Sequence, residues 1–369
     1  MSRARDIADL SSVSARLDTV GGSEGALSNR NLMINGNVLI DQRNSGSSIT
    51  PTSDQTFTVD RFKARLNNAS KYSVQQVTDA PSGFYNSLKV TSAAATTVGT
   101  NDYYQISTQL EGYTTDVLQQ GTSAAKQYTL SFYVKSSLTG TFGGGYSNNQ
   151  GDRFYAWTYT INSANTWERK SITITGATDG TWLQTTNSGL WTYWTLGAGS
   201  GVQTTAGVWG TSFKRGPTGA TNVVATNGAT WQITGIQLEV GDTATDFEHR
   251  SYGDELARCQ RYYYQLVDGA GQHMGMAGYY NSTLLMVGIE FPVTMRASPT
   301  LSITTGSSYY RIWRNSTNND ASGVGTGIAN ASPKGTAMDL TGGVSGTAGH
   351  VARVLSLDSA ARVAFIAEL

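Results

Sequence analysis

Apolar residues recur with a period of two along most of this chain after about residue 31, which is the period of a strand with one buried face. The clearest run places four apolar side chains on one side: Tyr128, Leu130, Phe132 and Val134. The period recurs in residues 170–175 and 231–240, and in the second run the phase changes at Gly235, as it would at a β-bulge. The pattern predicts a mainly β protein with a sandwich or jelly-roll architecture.

A second group of strands is expected after a junction that contains a short helix at residues 254–259. Apolar residues keep one phase over 285–295, and Pro292 suggests an edge strand or a bulge there. Residues 315–350 are rich in Gly, Ser, Thr and Asn and favour long loops or an exposed tip. The apolar segments 354–357 and 361–369 suggest a terminal hairpin. We therefore predict a jelly-roll β-sandwich over residues 31–250 and a second, smaller β-sandwich-like domain over 251–369.

The first 30 residues have a helical pattern instead. Residues 4–20 carry an apolar stripe at helical spacing: Ile7, Leu10, Val13, Leu17 and Val20. This stripe lasts barely two heptads, so the helix needs partners or a docking surface. We predict that residues 1–30 attach the chain to a larger assembly or join copies of it, with a homotrimer as the preferred state.

Composition and charge exclude several classes of function. Aromatic residues make up 10% of the chain and charged residues 14%, which is typical of a folded chain with polar turns rather than a disordered one. The formal net charge is +0 and there is no basic run, so a nucleic-acid partner is not expected. There is no signal-peptide or membrane-spanning pattern. Cys259 is the only cysteine, so it forms no intramolecular disulfide, and we expect it to be buried.

Catalytic and metal-binding motifs are not found. His249, His273 and His350 lack metal-ligand spacing, and no GxSxG motif is present. The glycines at 143–145 lack a phosphate-binding context and are interpreted as a loop. A glycosidase pair cannot be detected by spacing, and its candidates are Asp60, Asp152, Glu168, Asp246 and Glu248. Solvated turn carboxylates are the simpler interpretation of these five, so no cofactor and no enzymatic activity are expected.

An acidic segment leaves one metal hypothesis open. Asp242, Asp246 and Glu248 lie close together in the sequence and could offer oxygen ligands to a structural Ca²⁺. No EF-hand or repeat pattern supports this hypothesis, so calcium is not included among the expected ligands.

Aromatic residues in a polar segment are the candidate binding residues. They are Trp182, Trp191, Tyr193, Trp194 and Trp209. A pyranose has an apolar C–H face that stacks on indole, while its hydroxyl groups need amide and hydroxyl partners around the ring. The alternative is that these side chains fill the sandwich core or a subunit interface. Trp157, Trp167 and Trp231 fall in alternating runs and are expected in the core.

Several phrases of the sequence occur together in a known family. These phrases are NLMINGNVLIDQR at 31–43, TVDRF at 58–62, WQITGIQLEVGD at 231–242 and FEHRSYGDELARCQRYY at 247–263. They resemble phage tail fibre and virion structural proteins that carry a carbohydrate-binding-module-like jelly roll. The start, SRARDIADL at 2–10, similarly resembles the virion-attachment end of marine phage fibre proteins. The resemblance implies a jelly roll, assembly into a virion and contact with host glycan, and it supplies no binding residues to transfer.

Three functions follow as hypotheses. The first is a virion protein, made in the host bacterial cytoplasm, that attaches by its N-terminal segment and binds host surface polysaccharide through several weak sites at once. The second is a purely architectural or decorating virion protein of tail or capsid. The third is a capsule depolymerase, which requires two carboxylates facing each other across a groove.

Overall fold

The structure, a computed structural model, describes residues 29–306, 308–314, 317–321, 327–341 and 343–369. The predicted helix over 4–20 and its apolar stripe, Ile7, Leu10, Val13, Leu17 and Val20, lie outside the described residues. The mainly β class is confirmed, with several antiparallel sheets of the kind found in β-sandwich domains. The chain divides into two compact units, one ending at Ser251 and one spanning Tyr252–Leu369. No helix in the described part of the chain is long and apolar enough to cross a membrane.

The described part of the first unit, residues 29–251, contains fourteen strands and one short helix. The strands are β1 Thr56–Phe57, β2 Phe62–Leu66, β3 Tyr72–Val77, β4 Ser87–Ser92, β5 Tyr103–Glu111, β6 Tyr128–Ser136, β7 Gly140–Ser147, β8 Phe154–Ile161, β9 Glu168–Ile174, β10 Ser188–Ala198, β11 Gln203–Thr204, β12 Trp209–Gly210, β13 Gly216–Pro217 and β14 Thr230–Val240. Helix α1 is Gly112–Thr115, and 3₁₀ turns lie at Asp116–Leu118, Ser200–Val202 and Val223–Ala225.

Two antiparallel sheets form the sandwich of this unit. The larger has the order β1-β2-β5-β10-β7-β8-β12 and the smaller β3-β4-β14-β6-β9. The chain passes repeatedly between the two sheets, although the consecutive pairs β1–β2, β3–β4 and β7–β8 each stay within one sheet. The core between the sheets holds the four alternating residues predicted to share one face, Tyr128, Leu130, Phe132 and Val134.

Local details of this unit agree with the sequence in some places and not in others. The predicted bulge in β14 is confirmed, because its register to β6 shifts between Thr234 and Gln237 around Gly235, whose φ is +61°. Trp157 and Trp231 are core residues as expected. Trp167 is not, because it lies in the turn before β9, half-buried beside Lys135. The glycines at 143–145 form the middle of strand β7 and not a loop.

Within its described residues, the second unit contains a helix and ten strands. They are α2 Tyr252–Gln260, β15 Tyr263–Asp268, β16 His273–Tyr279, β17 Leu285–Glu290, β18 Thr300–Ile303, β19 Tyr310–Arg314, β20 Thr317–Ala321, β21 Ile328–Ser332, β22 Gly335–Leu340, β23 Val351–Ser356 and β24 Arg362–Ile366. The three-stranded sheet has the order β15-β24-β18 and the larger sheet β20-β19-β23-β16-β17-β22-β21. Cys259, on the predicted short helix, is buried as expected.

Three expectations for this unit need correction. The terminal hairpin is wrong, because β23 pairs with β16 and β19 while β24 pairs with β15 and β18 in the other sheet. The turn between them therefore carries the chain from one sheet to the other. Pro292 lies beyond the end of β17 rather than inside it. Residues 315–350, expected as loops or a tip, include the three strands β20, β21 and β22.

Candidate functional site

The five aromatic candidates fall into three separate places in the first unit. Strand β10 carries three of them, and its alternation sends Trp191 and Tyr193 to the outer side of the larger sheet but Trp194 to the inner side. Trp182 and Trp209 meet at an edge of the sandwich. The structure therefore does not join the five into one surface.

Trp194 is a core residue, so the surface role expected of it is corrected. Its side chain is 0% exposed and packs edge-on against Phe132, with ring centroids 6.0 Å apart. Trp157 also packs against it, at 6.1 Å. Trp194 follows Tyr193 directly in the strand, so its side chain points to the opposite face of the sheet.

Trp182 and Trp209 close the edge of the sandwich beside β8. Their rings are 5.9 Å apart in an edge-to-face arrangement, and Trp209 also lies 5.2 Å from Tyr155. Both indole N–H groups donate to backbone carbonyls, that of Trp182 to Asp179 at 3.0 Å and that of Trp209 to Thr175 at 2.7 Å. Both side chains are half-buried and pack against the core cluster. Packing of the sandwich edge therefore explains their positions without a bound ligand.

The outer side of the larger sheet carries a second aromatic cluster, here called the aromatic face and defined as Phe154, Trp191, Tyr193 and Phe213. Trp191 and Tyr193 have ring centroids 5.9 Å apart. Phe213, from the segment between β12 and β13, packs on Tyr193 at 5.5 Å and on Phe154 at 5.5 Å. Trp191 and Phe213 are half-buried, while Phe154 and Tyr193 form the buried floor. Tyr193 therefore supports this face from below rather than presenting its own ring to solvent.

Charged side chains border the aromatic face. Arg65 of β2 lies over the Trp191 ring, 5.2 Å from its centroid, and donates two hydrogen bonds to Asp54 at 2.9 and 3.2 Å. Burial would raise the pKa of the Asp54 carboxyl, but the Arg65 guanidinium, the Leu66 N–H and the charge of Arg215 together outweigh burial, and the net pKa is lowered. Arg215 lies over Tyr103 and Phe213, at 3.7 and 4.6 Å from the ring centroids. Both guanidinium groups therefore combine charge with aromatic contact.

Hydrogen-bonding atoms on this face are left without protein partners. Five are buried and make no hydrogen bond: Gln105 Oε1, Ser107 Oγ, Trp191 Nε1, Tyr193 Oη and Arg215 Nη1. Buried polar atoms are rarely left unpaired in proteins, since each costs about 1–3 kcal/mol. Tyr193 lies among them, and burial raises the pKa of its hydroxyl, with the adjacent Arg65 and Arg215 guanidinium groups offsetting part of the shift. Aromatic rings and unpaired donors and acceptors on one face are what a polyhydroxylated ring requires.

Glycines in β7 allow a loop to lie on this face. A Cβ at Gly143 would stand 2.3 Å from Pro217, and one at Gly145 would stand 2.4 Å from the Phe154 ring. The loop is held to the sheet through the Arg215 carbonyl, which accepts from Gln105 Nε2 at 2.6 Å and from Thr195 Oγ1 at 2.8 Å. Residues 213–215 carry no sequence signal for this site, because nothing in the sequence relates them to strands such as β5 more than 90 positions away.

The carboxylate candidates occupy separate local networks. Asp60 is buried and accepts from the Gln42 amide nitrogens at 2.7 and 2.8 Å. Glu168 accepts from the backbone of Asn162 and Ser163, each at 2.8 Å, and Asp152 accepts from Asn148. Glu168 and Asp152 make the contacts of turn and loop-capping carboxylates, whereas Asp60 is buried and not solvated as expected.

The three calcium candidates are not brought into one ligand set. Glu248 accepts from the backbone N–H of Asn31 at 2.9 Å and contacts Arg250 at 3.5 Å, and Asp242 accepts from the hydroxyl of Thr243 at 3.0 Å. Across the described residues, Asp246 included, no group of three or more His, Cys, Asp and Glu side chains is placed to hold a metal ion.

Comparisons with known proteins give distant structural similarity only. No protein family and no curated protein sequence matches the chain. Among solved structures, a putative sugar binding protein from Bacteroides thetaiotaomicron is 11% identical, with a TM-score of 0.34 over 57% of this chain and 100% of that one. The family 11 carbohydrate-binding module of a Clostridium thermocellum cellulase is 12% identical, with a TM-score of 0.28 over 56% of this chain and 99% of that one. The enzymatically active domain of bacteriophage CBA120 tailspike protein 4 is 10% identical, with a TM-score of 0.31, and the match covers 57% of this chain and 22% of the tailspike. What this chain binds therefore has to be inferred from its own residues.

Proposed function

We propose that this chain is a structural protein of a bacteriophage virion, a tail fibre or related host-contact protein, that binds host surface glycan on the aromatic face without catalysis. The phrases of the sequence that resemble phage tail fibre and virion structural proteins support the virion part. One structural observation carries the binding part: half-buried Trp191 and Phe213 lie beside five buried polar atoms that have no protein partner.

The chemistry of a sugar ring fits this arrangement. The C–H face of a pyranose would stack on the exposed part of Trp191. Its hydroxyl groups would pair with Trp191 Nε1 and Ser107 Oγ once the side chains that cover these buried atoms move aside. One such contact is weak on its own. Several copies on one particle would raise the effective concentration and give stable attachment.

The test is binding of the full-length protein to bacterial surface polysaccharide, with Trp191→Ala as the variant and Trp167→Ala as its matched control. Trp167 is also half-buried, but it lies next to Lys135 of β6 in the other sheet, away from the aromatic face. We expect Trp191→Ala to weaken binding by about tenfold or more, as loss of an aromatic contact of about 1.5 kcal/mol would. Trp167→Ala should bind as the wild type does.

Other results would favour the other two functions. Equal binding by Trp191→Ala and wild type would reject the aromatic face as the glycan site. Absence of wild-type binding would favour a purely architectural protein, an alternative supported by the interior packing of Tyr193 and Trp194. Reducing ends released in the same tubes would indicate a depolymerase.

A further inference from the structure

The positive charge beside the aromatic face is not balanced by the protein. Arg65 is paired with Asp54 through two hydrogen bonds of 2.9 and 3.2 Å. Within the described residues, no Asp or Glu lies within 4.0 Å of Arg215, the distance that would define an ion pair. Arg65, Arg215 and Asp54 together therefore carry a net charge of about +1.

Arg215 is held in position by aromatic rings and by its backbone, and Asp54 acts on it only at longer range than an ion pair. Its guanidinium stacks 3.7 Å from the Tyr103 centroid and 4.6 Å from the Phe213 centroid, while its backbone is tied to Gln105 and Thr195. Nη1 is buried and has no acceptor, while the side chain as a whole is half-buried and therefore partly open to solvent. Burial and the charge of Arg65 lower the pKa of Arg215, and the nearby Tyr103, Tyr193 and Asp54 offset only part of that shift. An incoming anion would supply the missing stabilisation.

Resting on the proposed function of the aromatic face, we infer that its ligand is an acidic glycan, in which the carboxylate of a sugar acid is bound by the Arg215 guanidinium. Phe213 connects the two parts of such a site, because its ring contacts Arg215 at 4.6 Å and lies 6.5 Å from Trp191. A carboxylate at Arg215 therefore leaves the sugar ring beside the aromatic rings. The planar guanidinium fork matches a carboxylate with two parallel hydrogen bonds.

The experiment compares polysaccharides that differ only in the acid. An array of uronic-acid-containing polysaccharides is printed beside carboxyl-reduced counterparts, in which each carboxylate has become a hydroxymethyl group, and is probed with the full-length protein. Wild type should bind at least one native polymer about tenfold or more tighter than its reduced form. Arg215→Gln should lose that preference. Lys214→Gln removes the same charge one residue away, where the ammonium donates to the Gly201 carbonyl at 3.2 Å, and should keep it.

The outcomes separate this inference from the proposed function. Equal binding of native and reduced polymers by wild type, with both weakened in Trp191→Ala, would overturn the acidic ligand and leave the glycan site standing. A preference that persists in Arg215→Gln would also overturn it. Binding to no member of the array, native or reduced, would overturn both proposals. Arg215→Lys should retain part of the preference, because it keeps the charge but not the planar fork.

Discussion

Residues three positions apart on β10 have opposite environments. Trp191 is half-buried on the outer side of the sheet, and Trp194 is fully buried between the two sheets. Both occur in the same polar, aromatic-rich segment, so composition alone treats them alike. Their positions in the strand distinguish them, because side chains separated by an odd number of residues point to opposite faces of a sheet. The same parity joins Trp191 with Tyr193, which lies two positions away.

Trp194→Ala should therefore lower the free energy of unfolding by about 3–5 kcal/mol, as expected for a large cavity in a core. Trp191→Ala should cost less than about half of that, since part of its ring remains in water in the folded state. Denaturant unfolding followed by far-UV circular dichroism measures both. Equal losses of stability in the two variants would contradict the difference in burial between these side chains.

Asp54 gives the same face a pH dependence. Its pKa is lowered in the folded state by Arg65, so ionised Asp54 stabilises the fold at pH above about 4, near the aspartate value in the unfolded chain. That stabilisation is lost as the pH falls through the lowered folded-state pKa. Asp54→Asn should therefore reduce the melting temperature at pH 7, and the difference from wild type should shrink below about pH 4. A difference that is constant from pH 7 to pH 3 would contradict the lowered pKa.

Strand β7 shows how an element can depend on residues that lack side chains. Gly144 lies on the inner side, where a Cβ would stand 1.9 Å from the Tyr193 carbonyl oxygen and 2.4 Å from the Trp157 ring. Gly143 and Gly145 leave space on the outer side for the loop and for Phe154. Three consecutive glycines resemble a loop in sequence. Their role is visible only once the neighbouring strands and the loop are in place.

Gly144→Ala should destabilise the first unit by about 1–3 kcal/mol or more, because either the backbone of β10 or the Trp157 ring has to move. Gly210→Ala in β12 is the matched control, since its nearest non-neighbouring atom is the Phe154 carbonyl oxygen at 3.7 Å. Chemical denaturation of the two variants provides the comparison. A similar effect at both positions would indicate that loss of glycine in a strand, and not the close approach, is responsible.

Strands in which apolar and polar residues alternate strictly were predictable from the sequence. The pairing between strands was not. Strand β6 and the bulge at Gly235 in β14 follow from the period of the side chains and its change of phase. Strand pairing is decided by contacts across the fold, so the sequence of β23 and β24 suggested a hairpin that does not form. Residues 315–350 include strands with too few large apolar side chains to reveal the period.

At the scale of the whole molecule, the candidate site is assembled from distant segments. The sequence pointed to Trp191 and Tyr193 because aromatic residues stand out in a polar segment. It did not point to Arg65, Phe213 or Arg215, which reach the site through the pairing of β2 with β5 and the folding of a loop onto the sheet. Alternation within one strand predicts which side chains share a face. The other residues of the site can be identified only when the neighbouring strands and loops are known.

If the chain is a trimer, its affinity for an immobilised polysaccharide should depend on several sites that bind at once. If residues 4–20 join three copies through the stripe that includes Leu10 and Leu17, the full-length variant Leu10→Asp/Leu17→Asp should be a monomer by analytical ultracentrifugation, because buried carboxylates would disrupt the apolar seam. Its apparent affinity for polysaccharide immobilised on a surface should then fall by about 10²-fold or more, since linked sites no longer rebind.

Binding of a short oligosaccharide in solution isolates this effect, because one oligosaccharide occupies one site. The double variant and the wild type should bind it equally, since the aromatic face lies in the first β unit and not in the N-terminal segment. A trimer that survives the double substitution would place the oligomer contact elsewhere in the chain. A monomer with unchanged affinity for the immobilised polymer would instead mean that each chain binds strongly alone, so that attachment of the particle needs no summation of weak sites.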